Sequence, residues 1–421
     1  MKKKCCLVID PVTCKDYMVY KFAKINIEVS AVFTDSLLSF FNEFTSLTPD
    51  EIHAVVMAEL KNTEFNNIYY LWEYNNLEEF QNSLSEYDVF CVINGNEYSL
   101  EITNEICGLY NIDFNSDETI KIVQSKYEVN EVCRRSKIPV CREIIKNDSL
   151  LTKAEEQKIE EWGYPIFAKP VHGCGSLGVS KLFDKASVLK YLDTNTHSSV
   201  LLQEYLEGKE YLVDIVSFEG NHYVSFVGVY KKDLIKNIPV YNYAEIVPFE
   251  TAEAKAIIAY IKRVLDTVGW RNGLSHNEIM FTVNGPILIE INGRQSGSHN
   301  YINKMAYYAY GRDQFDILID CIYNKNAAEH KCHPKEAEFT RYIFLNNFKE
   351  NKIMKEFNIE KINTLQSYKE QIIFIKKGDK IPLAVSLADV IGNVMLANKD
   401  KQQLERDYTT VYNMMLNEEL F

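Results

Sequence analysis

The segment from His276 to Gly293, His-Asn-Glu-Ile-Met-Phe-Thr-Val-Asn-Gly-Pro-Ile-Leu-Ile-Glu-Ile-Asn-Gly, constrains this chain more than any other. Two apolar runs flank Asn284-Gly285, a dipeptide that accepts positive φ and so reads as a tight hairpin turn. Each run nevertheless carries an acid: Glu278 on the first strand, Glu290 on the second, with Asn292 two residues further on. A charge on an otherwise apolar strand is costly unless it meets a partner. Two carboxylates and an amide oxygen are what Mg²⁺ prefers, with phosphate oxygens completing its octahedron. Register then matters, because directly paired side chains share a sheet face. A two-residue Asn284-Gly285 turn pairs Glu278 with Ile291 and sends Glu290 to the opposite face. A three-residue Asn284-Gly285-Pro286 turn pairs Glu278 with Asn292 and restores Glu290 to the same face. The chemistry therefore predicts an odd loop length or a compensating bulge. Arg294, just beyond, is placed to stabilise negative charge on a reacting carboxyl or phosphoryl group. A structural ion pair with a glutamate is its plain alternative.

Three other elements carry chemistry. The run from His172 to Val179, with Gly173, Gly175, Ser176 and Gly178, is a glycine loop whose backbone amides can approach phosphate oxygens. No Gly-Lys-Ser/Thr follows, so it is not a P-loop, and no helix opens from it as a dinucleotide fingerprint needs. Lys169 ends an apolar strand just before this loop, and Lys126 begins a helix upstream. Either ammonium would meet phosphates as a compact charge, although an isolated lysine is by default a solvated one. The run Gln203 to Glu210 leads a strand into a glycine turn. Backbone groups of Glu204, Tyr205 and Leu206 would offer an adenine its acceptor and donor, and Glu210 would accept ribose hydroxyls.

Around these elements the chain reads as α/β followed by α+β. Residues 5–10, 25–34, 67–74 and 88–95 are expected strands separated by helical patterns, which predicts a parallel sheet with ligands at its carboxyl edge. Helices are expected over 125–136, 152–163, 185–192 and 253–268, with a last one near 401–415, and hairpins around Glu219-Gly220-Asn221 and Asn284-Gly285. The expected domains are 1–120, 121–205, 206–335 and 336–421. A hydrophobic content of 46% supports a large core, and 59 acidic against 46 basic residues argue against a general nucleic-acid binder. No apolar run reaches the ~20 residues that span a bilayer, and Asp10-Pro11 interrupts the basic start too early for a signal peptide. Ten irregularly spaced cysteines read as reduced, mostly buried thiols of a cytoplasmic protein.

The ordered set Lys126, Lys169, glycine loop, 204–210, Glu278 and Glu290-Ile-Asn-Gly-Arg294 resembles the ATP-grasp superfamily. Within it, the segments at 93–97, 125–140, 273–297 and 374–396 look like bacterial L-amino-acid ligases and dapdiamide-synthetase-like enzymes. The resemblance implies an ATP-grasp fold: an N-terminal parallel-sheet domain, a lid subdomain and a C-terminal antiparallel-sheet subdomain. It implies ATP and Mg²⁺ (or Mn²⁺) as cofactors, and small carboxylate and amine substrates, amino acids among them. Lys126, Lys169, Gly173, Gly175, Ser176, Gly178, Glu204, Tyr205, Leu206 and Glu210 would hold ATP. Glu278, Glu290 and Asn292 would hold the metal, and Arg294 would be catalytic. His276, Ser296, Gly297 and Ser298 stand close enough in sequence to contact substrates, with a packed histidine and turn serines as the bland reading. The implied activity is phosphorylation of a carboxylate and its coupling to an amine. The alternatives are a carboxylase or phosphoribosyl-amine ligase of the same superfamily, and a non-catalytic nucleotide-binding module. A homodimer is the default assembly.

Overall fold

The structure is a computed structural model that describes residues 2–12, 16–42, 45–59, 63–171, 179–195, 199–235, 238–297, 300–323, 338–349, 352–384 and 389–420. The chain forms two compact units. One comprises Met1–Gly208, Val216–His222 and Ala256–Gln295, the other Lys209–Ile215, Tyr223–Lys255 and Ser296–Phe421.

In the first unit, β1 (Lys3–Ile9), β2 (Glu28–Phe33), β3 (Asn67–Tyr70) and β4 (Tyr87–Asn94) form a wholly parallel sheet in the order β3-β2-β1-β4. The expected third strand is cut short, because a 3₁₀ turn over Leu71–Glu73 takes over after Tyr70. Cys5, Leu7, Ile9 and Val32 pack against Phe80, Ile106 and Cys107. Strand order reverses between β1 and β4, the place where such sheets open a crevice. Gly95 closes the two strand ends tightly: a Cβ there would stand 2.5 Å from the Ile9 carbonyl oxygen. Beside it Asp10, buried and at φ 49°, accepts from the Thr34 amide (2.7 Å), the Thr34 hydroxyl (2.6 Å) and the Ser99 hydroxyl (2.5 Å).

A second sheet in this unit contains β5 (Glu143–Lys146), β6 (Ile166–Pro170), β7 (Ser180–Leu182) and β8 (Val200–Glu204), antiparallel in the order β5-β8-β6-β7. Alternation divides its faces. Ile144, Ile166, Ala168, Val200 and Leu202 pack on the helices Lys153–Trp162 and Lys185–Thr194. By the same register Glu143, Ile145, Phe167, Lys169, Leu201 and Gln203 share the other face. The first of those helices opens on a Thr152/Glu155 capping box and stops at Gly163, φ 78°.

β9 (Gly208–Phe218) and β10 (Asn221–Ile235) are joined by Glu219-Gly220, both at positive φ, and each contributes residues to both units. β11 (Ile238–Ile246) belongs to the second unit, whereas β12 (Gly273–Thr282) and β13 (Gly285–Asn292) form a hairpin in the first. The second unit adds β14 (Phe339–Leu345), β15 (Lys352–Ile353), β16 (Tyr368–Ile373), β17 (Lys380–Ile381) and β18 (Gly392–Asn398). Its main sheet is antiparallel in the order β10-β11-β14-β18-β16. Tyr342, Phe344 and Met395 face the helix Tyr301–Tyr310, while Ile343, Leu345, Val394 and Leu396 face the helix Lys401–Leu416. The described free cysteines Cys5, Cys6, Cys91, Cys107, Cys133, Cys141 and Cys321 are all buried.

Asp10 makes the first unit sensitive to pH. Burial pushes its carboxyl up to about 7, against the hydrogen bonds from Ser99 and Thr34 that lower it. A folded-state value above the unfolded one, ~3.9, gives stability that is full below the unfolded value and lost as pH rises through the folded value. Urea unfolding should therefore report stability that falls from about pH 4 to about pH 7. Asp10→Asn should flatten that slope and cost about 1 kcal/mol at the acid end, one hydrogen bond's worth.

Candidate active site

β12 and β13 pair from Thr282 opposite Gly285 to His276 opposite Asn292. The turn is Val283-Asn284, one residue earlier than the Asn-Gly signal suggests. With Ile279 opposite Leu288 but Glu278 opposite Glu290, Ile289 is the extra residue of a bulge. The compensating bulge expected from the chemistry is present. Its result differs from both sequence alternatives, since Glu278 faces neither Ile291 nor Asn292 but Glu290 itself. Glu278, Glu290, Asn292 and His276 consequently share one face.

Glu290 sits between two cations. Lys126 Nζ stands 3.3 Å from its Oε2, and Asn292 Nδ2 donates to its Oε1 at 3.1 Å. Burial would raise this carboxyl, but Lys126, the Asn292 amide and Lys169 together bring it down to about 2. Lys126 is the first residue of the helix Lys126–Arg135, capped by Ser125, whose hydroxyl accepts from the Glu128 amide at 3.3 Å. A cation there opposes the helix dipole, so the position favours an anion next to it. Lys169 is 9% exposed. Burial and then the Lys126 charge pull its ammonium down, only partly offset by Cys141, Glu290 and Glu143.

Lys126, Glu290 and Asn292 border a cavity of about 630 Å³, together with Asn130, Ile145 and Leu288. Glu97 and Tyr98, which follow β4, border it too. Arg294 follows β13 after Gly293, at the corner where Glu97 stands. Its Nη2 pairs with Glu97 and its Nη1 donates to the Gln295 carbonyl at 2.8 Å. Asn94 ties the same corner together by donating to the Gly293 carbonyl at 2.9 Å.

The other sequence candidates divide. The Glu204 carboxylate is occupied by Arg142, whose backbone amide and Nε both donate to it at 2.7 Å. The Glu204 amide is bound to the Arg142 carbonyl at 3.0 Å. The Tyr205 ring is flanked by Lys181 Nζ at 3.9 Å and by Phe167 at 5.6 Å. Glu210 belongs to the second unit, where Lys232 Nζ lies 2.7 Å away and the Tyr241 hydroxyl donates at 3.1 Å. His276 is buried, its Nε2 3.9 Å from Glu278. Ser296 is buried and Gly297 half-buried. Gly173, Gly175, Ser176, Gly178 and Ser298 lie outside the described residues.

The donor set fits Mg²⁺. Glu278 and Glu290 are hard oxygen donors directly opposite each other, with the Asn292 amide on the same face. Among the described residues no group of three His, Cys, Asp or Glu side chains forms a metal cage, and Mg²⁺ in nucleotide sites uses one or two carboxylates plus phosphates instead. Sequence reasoning missed Glu97, Asn130 and Glu143. Glu143 abuts the apolar pair Ile144-Ile145, a signal of the kind that exposed Glu278 and Glu290, whereas Asn130 lies in a charged helix that gives none.

Residues 123–298 match the family model of the ATP-grasp domain. Dapdiamide A synthase from Enterobacter agglomerans is 25% identical over 257 residues, 55% of this chain and 59% of that synthase, so the chain spans less than two thirds of its length. L-amino acid ligase from Bacillus licheniformis superposes over 98% of both chains at 14% identity and a TM-score of 0.73. N5-carboxyaminoimidazole synthase from Aspergillus clavatus, in complex with ADP and 5-aminoimidazole ribonucleotide, covers 99% of both at 13% identity and a TM-score of 0.68. The chain carries an ATP-grasp domain and has the ATP-grasp fold. Lys169 should then trade stability for binding. Lys169→Met is expected to match or exceed wild-type stability in urea, by up to about 1 kcal/mol, because it removes a charge that burial penalises. It should weaken ADP binding at least about tenfold by calorimetry, the loss of one charge-assisted contact.

Proposed function

We propose that this chain is an ATP-dependent carboxylate–amine ligase. It would phosphorylate a substrate carboxylate, couple the acyl phosphate to an amine, and release ADP and phosphate. The observation that carries the reading is Glu290 held between Lys126 and Lys169, with Glu278 directly across the hairpin and a cavity of about 630 Å³ in front. Similarity to dapdiamide A synthase favours amide formation.

In this reading Lys126 and Lys169 receive the phosphate oxygens, and the helix that begins at Lys126 adds its amides to the same end. Glu278, Glu290 and Asn292 would hold Mg²⁺, which supplies neutralisation of phosphate charge when bound. A carboxylate oxygen of the substrate attacks the γ-phosphorus as the bond to the β-phosphate oxygen breaks and ADP leaves. A neutral amine then attacks the acyl carbon, phosphate departs with the electron pair of the C–O bond, and the amine proton passes to phosphate or solvent. In the same reading Arg294 would stabilise the carbonyl oxygen as charge develops. Its pairing with Glu97 fixes the guanidinium before substrate arrives. Positioning and fixed charge are the main sources of rate in such a scheme.

The test is phosphate release from ATP across a matrix of amino acids offered as acid and as amine. Release should require both partners, and Glu290→Gln should lower it by at least about a hundredfold, as loss of a charge-stabilising group in the reaction does. Undiminished turnover of Glu290→Gln would remove the metal assignment. Release that needs bicarbonate in place of an organic acid would move the chain to the carboxylase reading.

A further inference from the structure

Two residues on the cavity border, Tyr98 and Leu100, take no part in the phosphate and metal assignments. Tyr98 lies in the 3₁₀ turn Glu97–Ser99, and Leu100 opens the helix Leu100–Leu109. The backbone around Tyr98 is fixed on every side. Its amide donates to Asn96 Oδ1 at 3.0 Å, and Asn94 Nδ2 donates to the Asn96 carbonyl at 2.7 Å. Glu97 before it pairs with Arg294, and the Ser99 hydroxyl after it donates to Asp10. The Tyr98 ring is half-buried and meets Phe40 of the helix Ser36–Asn42 edge-on, with ring centroids 6.5 Å apart. Leu100 is equally confined. A Cβ on Gly293 would stand 2.9 Å from Trp270 Cη2 and 3.1 Å from Leu100, so the end of the hairpin packs on both.

The charges give the cavity a direction. Lys126, Lys169 and Glu290 mark the phosphate end in the ligase reading, and the reacting carboxyl group comes between the γ-phosphate and Arg294. Whatever the acid carries beyond that carboxyl then meets the residues beside Glu97, the partner of Arg294. Those residues are an aromatic ring and a leucine, and the two charges next to them are paired with each other. A charged side chain brought to this surface would lose water without gaining a partner, whereas an apolar one gains by leaving water. Lys121, a second cation on the cavity border, is exposed and marks the rival position, one for a second anionic group on the acid.

We propose that Tyr98 selects the acid by its side chain, and that the acid is a monocarboxylate with a branched or aromatic apolar side chain, such as leucine or phenylalanine. The ring is a wall that cannot retreat, because Phe40 backs it and the turn beneath it is tied at Asn96, Glu97 and Ser99. A fixed apolar wall rewards a side chain long enough to touch it, and in an apolar pocket a missing methylene is worth about tenfold or more. The assignment rests on the ligase reading above and adds the class of acid.

The experiment uses the full chain and measures kcat and KM for leucine, phenylalanine, alanine and aspartate as the acid, with one amine from the matrix above held in excess. Wild type should prefer leucine or phenylalanine to alanine by at least about tenfold in kcat/KM, and to aspartate by at least about a hundredfold. Tyr98→Ala should shrink the preference over alanine by about tenfold, through a higher KM for the large acid with kcat little changed. A merely structural tyrosine would lower kcat alike for every acid and leave the ratios as they were, and that result overturns the proposal. Should Tyr98→Ala fail to fold, Tyr98→Trp carries the test: its larger ring must lower kcat/KM for the large acid relative to alanine by about tenfold, or the proposal fails. A wild-type preference for aspartate would put the side chain at Lys121 and also overturns it. Wild-type protein that releases phosphate with no pair of acid and amine removes the ligase reading and this assignment with it. Release with ratios that neither variant changes removes only the assignment.

Discussion

Glu290 between Lys126 and Lys169 is the contact on which the site depends. Lys126 and Lys169 both act on this carboxylate, with Glu278 directly across the hairpin, in a place largely shielded from water. Lys126 stands at a helix N-terminus, where the dipole already disfavours a cation. Burial and then the Lys126 charge both pull the Lys169 ammonium down. The arrangement is poor as a stability device, because desolvation of the charges offsets much of their attraction. It is well suited to an incoming polyanion, whose charge would satisfy both lysines and the helix end together. The glutamate keeps the pair of cations tolerable until then.

The bulge at Ile289 lets the hairpin serve this contact. A regular strand presents every second residue to one side, yet Leu288, Ile289, Glu290, Ile291 and Asn292 all border the cavity. One inserted residue re-aims the strand, brings Glu290 opposite Glu278, and leaves Leu288 buried opposite Ile279. The Leu288 amide, next to the bulge, is held by the Tyr260 hydroxyl at 2.9 Å. The local break in the ladder is thus matched by a side-chain acceptor from the helix behind it.

Much of this was legible because the informative residues break a pattern. Acids in apolar strands announced Glu278 and Glu290, and the demand that they share a face announced the bulge. The parallel strands of the first unit and the capped helices followed from periodicity and from signals such as Thr152 with Glu155. Pairing was not legible, since periodicity says nothing about which residue a side chain meets. The Glu204 carboxylate pairs with Arg142, whereas the expectation at this residue concerned its backbone alone. Gln203, noted only as a strand residue, is the one whose amide is oriented by a buried acid. The exact turn was missed because Asn284-Gly285 favours positive φ whichever of its residues enters the loop. In the structure Gly285 takes φ 108° as the first residue of β13. The helices Tyr301–Tyr310 and Gln314–Tyr323 were not among the expected elements.

The nucleotide end of the site and the fold together do not choose a reaction, since the same fold superposes on a ligase and on an N5-carboxyaminoimidazole synthase. A separate cluster of polar contacts stands where β13 meets the end of β4. Asn94 grips the Gly293 carbonyl, the Thr103 hydroxyl donates to the Asn94 side-chain oxygen at 2.9 Å, and Arg294 closes on Glu97. A few paired polar contacts therefore bind the acidic hairpin to the point where strand order reverses in the parallel sheet. Because Asp10 holds Ser99 at the same point, the turn that carries Glu97 is anchored on both sides. The Arg294 guanidinium is thereby tied to the turn that follows β4, and the two polar contacts close the same corner from opposite strands.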